Sequence, residues 1–503
     1  MKQLGSALII SLLLVSNSSS QWQPDVRLTN DPANSWTSWN NAWCIAASGN
    51  VVHVVWYDER DGNYEIYYKR SIDGGSSWGT DTRLTTGNGY SGSPSVSVSG
   101  LVVHVVWMDF REANYEIFYK RSSDGGSSWG ADTRLTNQPA YSGYASVTVF
   151  GSGVHVVWHD MRYGNWEIHY IRSIDGGINW EADTTRLTNN SAASQFPSVS
   201  VSGSSVHVVW ADTRDGNWEI YYKRSANGGS SWDADTRLTS NSAVSEHPSV
   251  SVSGSVVHVV WEDKRDGNNV IYYKRSPDGG LNWGADTRLT NNPGVALSPS
   301  VSVSGSVVHV VWFDNRNVNY EIYYKRSTDG GINWSSDTRL TSNSDFSEYP
   351  SVSVSGSVVH VVWRDTRDGN AEIYYKRNPT GNVTGIENIG SEFPEAFRLE
   401  QNYPNPFNPT TEIRYHLPAL SVQSGQAGTS EVSHVSLKVF DLLGHEVATL
   451  VDEVKEAGVY NCQWSTRPKD GGQADNVQLS TGVYFYRLQA GSFVETKKLL
   501  LLR

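Results

Sequence analysis

Along residues 26–378 the chain keeps returning to one order of apolar and polar positions. First comes PSVSVSG, in which valine alternates with serine at the two-residue period of a strand with distinct faces. VHVVW follows, and its consecutive apolar positions describe a strand covered on both sides. A short polar turn leads to EIYYKRS, whose Tyr and Ile favour a third strand, and DTRLT makes a fourth. HVVW ends at Trp56, Trp107, Trp158, Trp210, Trp261, Trp312 and Trp363, at spacings of 51, 51, 52, 51, 51 and 51 residues. A period that strict marks one supersecondary unit copied in tandem. Four antiparallel strands per copy, repeated radially, predict an all-β fold, a seven-bladed β-propeller over residues 21–378.

The ends of the repeat predict how the ring closes. RLT occurs at Arg27, Arg83, Arg134, Arg186, Arg237, Arg288 and Arg339, so its first copy precedes every HVVW. The last repeat stops at Lys376-Arg377 with no RLT after it. The orphan strand at 26–29 is therefore expected to complete the seventh blade, which removes two exposed sheet edges.

Composition narrows the partners. The balance of 40 Lys and Arg against 52 Asp and Glu, a net charge of -12, argues against nucleic acid and anionic membrane. The 20 Trp and 26 Tyr sit mostly at repeat-locked positions, so they signal packing first. Residues 1–20 read as a signal peptide, with Lys2, an apolar run from Ala7 to Val15, and small residues Ser18 and Ser20 before a cut near Gln21. No later stretch reaches 18 consecutive apolar residues, so no transmembrane segment is expected after leader removal. Two cysteines, Cys44 and Cys462, give no disulfide framework.

Sets of repeated polar residues read mainly as scaffold. His53, His104, His155, His207, His258, His309 and His360 share one level of the second strand. Facing sheets stand about 10 Å apart and metal–nitrogen bonds need about 2 Å, so these are expected to be hydrogen-bonded core residues, with no metal. Asp58/Arg60, Asp109/Arg111, Asp160/Arg162, Asp212/Arg214, Asp263/Arg265, Asp314/Arg316 and Asp365/Arg367 read as ion pairs tying each turn to the next blade. The other reading of that set is a ring able to hold a glycan or a carboxylate. Turns such as Asp61-Gly62-Asn63 lack EF-hand spacing and fit hairpin chemistry. No cofactor is expected.

Positions that differ between near-identical copies are the candidate site. After the HVVW tryptophan stand Tyr57, Met108, His159, Ala211, Glu262, Phe313 and Arg364. Ahead of PSV stand Ser93, Tyr144, Phe196, His247, Ser298 and Tyr349, with Ala42 in the first copy. In a four-stranded blade these two levels meet on one face. Tyr57, His159, Glu262, Phe313, Arg364, Tyr144, Phe196, His247 and Tyr349 are accordingly expected to present aromatic and charged groups at one mouth of the ring.

The xDGGxxW segments carry a family resemblance. SIDGGSSW, SSDGGSSW, SIDGGINW, SANGGSSW, SPDGGLNW and STDGGINW resemble the Asp-box, or BNR, repeat of sialidase-like propellers. Their box residues are Asp73, Asp124, Asp175, Asn227, Asp278 and Asp329, with Trp78, Trp129, Trp180, Trp232, Trp283 and Trp334. The carboxylate is expected to accept backbone N–H bonds, and the Trp to plug the hairpin against its own sheet, while the seventh copy has lost the box. The resemblance implies a structural role for the box, away from any reaction centre. Sialidases use three arginines on the substrate carboxylate, a Tyr nucleophile assisted by Glu, and an Asp acid/base. Here Arg27 belongs to the repeated RLT, and the sequence shows no singular Arg triad or Tyr/Glu pair.

After a linker at 379–396 a different module begins. QNYPNPFNP (401–409), VSLKVFDLLGHEVATLV (435–451), STGVYFYRLQAG (480–491) and KKLLLLR (497–503) resemble the type A C-terminal sorting domain of the bacterial type IX secretion system. Short alternating strands over 397–503 agree with a small β-sandwich. The resemblance implies export, engagement of the type IX machinery, and a secreted or surface location on a Gram-negative bacterium. The first expectation is binding of extracellular glycan or protein without catalysis, with a glycan or glycoprotein as the partner. A sialidase-type exo-glycosidase is the alternative, and a purely structural surface protein the third reading.

Overall fold

A computed structural model describes residues 22–39, 43–182, 184–380, 397–402, 404–417, 433–455, 458–465, 479–491 and 493–502. The leader, Ala42, most of the linker and the loop at 421–431 lie outside the described residues. The chain divides into two compact units, 1–384 and 385–503.

The first unit is a ring of seven antiparallel sheets, the expected propeller. Blade two shows the plan: Ser91–Ser99, Val102–Asp109, Glu116–Ser122 and Thr133–Arg134, paired in that order. First strands of every blade line an axial channel of about 210 Å³, among them Val96, Thr148, Val201, Ser251, Val303 and Val354. Blade one departs locally, because its first strand is broken into Ser35–Trp36 and Ile45–Ser48, both paired with Val51–Asp58. Blade seven consists of Ser347–Ser355, Val358–Asp365, Glu372–Asn378 and the strand Val26–Arg27, with Val26 opposite Tyr375. The N-terminal strand closes the ring as its RLT triplet predicts.

Each repeated residue bonds to a neighbour that is itself repeated. The second-strand tryptophans are fully buried. The serine after the bulge proline reaches across to the next blade, where Ser198 Oγ accepts the N–H of Val250 at 3.2 Å. The histidines are the buried, hydrogen-bonded residues expected: His104 Nδ1 lies 2.8 Å from Tyr119 Oη in its own blade, and the other six repeat the pair.

That tyrosine explains the box. A Cβ on Gly177 of blade three would stand 1.9 Å from Tyr119 Oη of blade two, and Gly177 has φ +81. Only glycine fits under the phenol there. Trp180 of the same box packs edge-on against Tyr119, centroids 4.8 Å apart. Asp175 Oδ1 accepts the N–H of Asn179 at 2.9 Å and of Ile178 at 3.1 Å, as expected. The box tryptophan does not plug its own sheet, however; it clasps the preceding blade, as do Trp78 on Tyr375, Trp129 on Tyr68, Trp232 on Tyr170, Trp283 on Tyr222 and Trp334 on Tyr273. The reason is radial geometry: the hairpin lies at the outer edge, where the adjacent sheet offers the nearest apolar ring.

Blade seven recovers what its missing box took away. Trp22 packs edge-on against Tyr324 of blade six at 4.9 Å, and Asp25 pairs with Arg367 at 2.7 Å and Lys376 at 2.8 Å. Trp22, Asp25, Arg27 and Thr29 thus reproduce the spacing of Trp78, Asp81, Arg83 and Thr85. The closing strand is a longer strap than RLT alone suggests.

The Asp/Arg set also differs from expectation. Arg111 pairs with Asp109 at 2.6 Å and with Asp132, ahead of its own blade's fourth strand, at 2.6 Å. The link runs mainly within one blade, because the turn after strand two folds outward over strands three and four; in blade one Arg60 also pairs, at 2.9 Å, with Asp31, which follows the strand that closes blade seven. Asp109 also accepts from Trp107 Nε1 and Ser91 Oγ, both at 2.9 Å, which leaves it no capacity for a ligand. Burial pushes its carboxyl up, but Arg111, Trp107 and the backbone outweigh this and hold it below its ordinary value.

The second unit has two sheets around one core. One joins Arg398–Leu399, Thr410–Leu417 and Gly458–Ser465; the other orders Glu446–Lys455, Ser433–Phe440, Gly482–Ala490 and Phe493–Leu501. Tyr415, Trp464, Leu437, Tyr486 and Leu499 share that core. The 401–409 segment is fastened into it: Asn402 donates its N–H to Tyr486 Oη at 2.8 Å, and Phe407 packs at a tilt against Trp464, centroids 5.4 Å apart.

Candidate functional site

At one mouth of the ring the first strands of blades two to seven begin with a bulge. Its register shifts between Gln195 and Ser198 in blade four and at the matching places elsewhere. The residue in that bulge has a left-handed backbone: Ser93 φ 50, Tyr144 φ 53, Phe196 φ 56, His247 φ 50, Ser298 φ 47 and Tyr349 φ 51. Side chains other than glycine pay roughly 1–2 kcal/mol for this conformation, so its sixfold recurrence at variable residues marks a place where strain is held by the surrounding fold.

These side chains meet. Tyr144 touches His159 at 5.0 Å and Phe196 at 6.3 Å between centroids, and Phe196 touches His247 at 4.6 Å. In the other direction Tyr349 contacts Phe313 at 5.2 Å and lies parallel to Trp39 at 5.7 Å. Trp39 leads through Trp36 to Tyr57, and Tyr57 through Tyr90 and Tyr115 to Tyr141 and back to His159. An aromatic arc therefore runs from blade six through blades seven, one, two, three and four to blade five. It opens between blades five and six, where the bulge residue is Ser298.

The opening is polar. Ser298 donates its N–H to Glu262 Oε1 at 2.6 Å, and His247 Nδ1 lies 3.3 Å from the same oxygen. Burial pulls the His247 imidazole down, but the Glu262 carboxylate and then Glu246 outweigh it and raise it above its ordinary value. Beside Tyr349, the Arg364 guanidinium donates to Glu348 and sits 3.9 Å over the Trp36 ring. Burial raises the carboxyls of Glu246 and Glu348.

All nine predicted site residues lie in this assembly, but in two tiers. Tyr57, His159, Glu262 and Phe313 are buried, not presented at the mouth as expected. They sit on a strand sandwiched between blades, so the bulge residues of the first strands roof them. Tyr144, Phe196, His247, Tyr349 and Arg364 are partly exposed. His159 is 2% exposed and neither ring nitrogen has a hydrogen-bond partner; burial lowers it to about 3, so it is neutral.

Sequence reasoning missed a third set. Tyr64, Tyr115, Trp166, Trp218 and Tyr320 precede the third strand and back the arc, with Asn269 and Ala371 in blades five and seven. Their near-uniform aromaticity looked like scaffold; the breaks at Asn269 and Ala371 were the readable signal. Glu246, Glu348, Trp36 and Trp39 were missed because they sit one position before the bulge or in the blade-one insertion. Among the described residues this mouth holds one singular arginine, Arg364, not three.

No protein-family model matches the chain. No curated protein matches it either. Several solved structures are similar to the chain. The phage phi92 endosialidase is 11% identical over 96% of this chain and 87% of its own, with a TM-score of 0.45. An α-L-arabinofuranosidase from Fusarium graminearum is 15% identical over 56% of this chain and 90% of its own, with a TM-score of 0.41. A protein of unknown function from Dyadobacter fermentans is 14% identical over 58% of this chain and 95% of its own, with a TM-score of 0.43.

Proposed function

We propose that this chain is an exported glycan-binding protein whose propeller holds an extracellular carbohydrate at the aromatic mouth without cleaving it. The observation that carries the reading is the partly exposed arc at strained bulge positions, interrupted by one polar sector. Aromatic faces cover the apolar side of a sugar ring, and His247, Glu348 and Arg364 supply directional hydrogen bonds. The last hundred or so residues deliver it through the type IX pathway to the surface or the medium; QNYPNPFNP and its seat in the sandwich support this. The test is a glycan array with the full chain and with Trp39→Ala, Phe196→Ala and Tyr349→Ala combined. Selective binding lost in the triple variant supports the reading; binding unchanged by it removes the mouth as the site.

A second reading, a sialidase-type exo-glycosidase, draws on the Tyr349, Glu348 and Arg364 group of blade seven, with Glu262 of blade five near it. Turnover of a fluorogenic sialoside that Tyr349→Phe abolishes is its test. An inert mouth in both assays leaves a structural surface protein.

A further inference from the structure

We propose that the outer rim carries two sites, at Arg121 and Arg275, for the carboxylate side chains of an acidic and aliphatic protein segment. They are independent of the mouth. Strand three carries each blade away from the mouth to its box, so both arginines lie toward the opposite face.

The sibling blades show what the sites take. Every third strand ends in Arg-Ser, or Arg-Asn in blade seven. In blade three Arg172 Nε donates to Glu181 at 2.6 Å, and in blade four Arg224 Nε donates to Asp233 at 3.0 Å. Both acids directly follow the box tryptophan. In blade seven Gln23, which follows Trp22, accepts from Arg377 Nε at 2.7 Å. Blades two and five have Gly130 and Gly284 at that place, and the guanidinium is left unmet. Arg275 Nε is buried with no hydrogen-bond partner, and the side chain makes no ion pair among the described residues. Arg121 has turned its Nε onto the Gly176 carbonyl at 2.8 Å and meets no carboxylate among the described residues. The lysines beside them are committed, Lys120 to Asp132 and Lys274 to Asp286. The carboxylates of their own boxes are filled as well: Asp124 accepts from Ser122, Ser127 and Ser128, and Asp278 from Ser276 and Asn282. A guanidinium without an anion takes a carboxylate through charge-assisted hydrogen bonds.

The surface beside each arginine is aliphatic. Ile178 and Ile332 of the following boxes are 65% and 64% exposed, where blades one, two and four have serine. Blade one shares the glycine, as Gly79, but the box after it presents Ser127. Tyr119, Arg121, Trp129, Gly130, Gly177 and Ile178 line an open groove of about 380 Å³ between blades two and three. Its two aromatic rings are engaged with Trp180 and Tyr68 in the clasps between blades. Exposed isoleucine beside an arginine that takes Glu or Asp in the sibling blades favours an acidic peptide over an acidic sugar.

The test is fluorescence anisotropy on the full chain at neutral pH and low salt. The probes, labelled alike, are a six-residue peptide alternating Glu and Leu, its Gln and Leu counterpart, and a galacturonate oligomer. The Glu peptide is expected to bind at least about ten-fold tighter than the Gln peptide, as one charge-assisted hydrogen bond provides, and the difference shrinks with salt. Arg121→Gln with Arg275→Gln is expected to erase that preference. Gly130→Glu with Gly284→Glu is expected to erase it too, by filling both sites from within. A Cβ at these glycines stands 3.4 and 3.5 Å from the nearest backbone oxygen, so the fold has room for it. Melting curves check both pairs; if the arginine pair does not fold, the glycine pair decides. Equal binding of the two peptides, no binding of either, or a preference that survives the glycine pair overturns the inference. A galacturonate oligomer that binds tighter than the Glu peptide, and is lost in the glycine pair, overturns it in favour of an acidic glycan.

Discussion

Ring closure depends on one aromatic ring that no covalent bond holds to the blade it completes. Trp22 is 8% exposed and stands edge-on to Tyr324, in the position that a box tryptophan takes in the other six blades. Truncating a buried tryptophan costs about 3–5 kcal/mol, and the edge-on pair contributes about 1 kcal/mol of that. Trp22→Ala is therefore expected to destabilise the propeller by about 3 kcal/mol, a melting shift of about 4 °C for a unit this large. Trp78→Ala is the internal comparison, since its hairpin is continuous with blade one on both sides. Both should lower the melting temperature, but Trp22→Ala alone should expose the end of the strap to protease, because Gln23 and Asp25 then hold that end without its aromatic anchor. A double-mutant cycle sharpens the result: Trp22→Ala with Tyr324→Ala should couple by about 1 kcal/mol, and with Tyr273→Ala by about zero. A Trp22→Ala protein that melts with the parent and keeps its N-terminus protected would refute the strap.

Other perturbations separate scaffold from site. Gly126→Ala puts a Cβ 1.9 Å from Tyr68 Oη at φ +81 and should unfold the junction of blades one and two; circular dichroism melts read it, and Tyr68→Phe should not rescue it because the ring carbon still clashes at 2.5 Å. Hydrogen bonds from Asn179 and Ser173 hold the Asp175 carboxyl down at about 2, below its ordinary 3.8. Its stabilisation is present above pH 3.8 and lost as pH falls toward 2, so box protection in hydrogen exchange should fail there, while the Asn227 box stays insensitive. His247 runs the other way: its raised proton affinity stabilises the mouth below its ordinary 6.5 and the effect fades as pH rises through the higher folded value, which Glu262→Gln should abolish in melts against pH. His159→Leu should raise stability by about 1–2 kcal/mol by removing two unpaired buried nitrogens, read in thermal melts against the parent.

The fold was legible because every blade restates the same strand pattern, and closure was legible because RLT had one copy too many. The full strap was present too, as Trp22 and Asp25 at the box-to-RLT spacing, but RLT alone drew attention to it. Contacts between blades were not legible. Nothing local says that Trp129 clasps Tyr68 or that Arg111 turns back to Asp132, since both depend on where the outer edge lies in space. The candidate site was readable as position but not as depth. Tyr57 and Tyr349 are equally variable in sequence, and only the packing of strand two between sheets decides that one is buried and the other open.

The same packing explains why variation is confined to the mouth. A change at Gly177, Tyr119 or Trp180 must be matched in the adjacent blade, because each touches a group that is itself fixed by a further repeat. A change at the bulge meets only its neighbours along the arc, and those differ already. Tandem copying therefore builds a rigid rim whose scaffold cannot drift one blade at a time, while leaving the six bulge positions free to diverge. Blade five shows how far this has gone: it alone combines Glu262, His247 and Asn269 at the mouth, and it carries Val270 where the other six keep a buried glutamate. Losing that glutamate removes its hydrogen bonds to the arginine and threonine of the fourth strand, as Glu219 makes to Arg237 and Thr239 in blade four. Blade five thus gives up a scaffold contact shared by all its siblings, next to the one break in the aromatic arc.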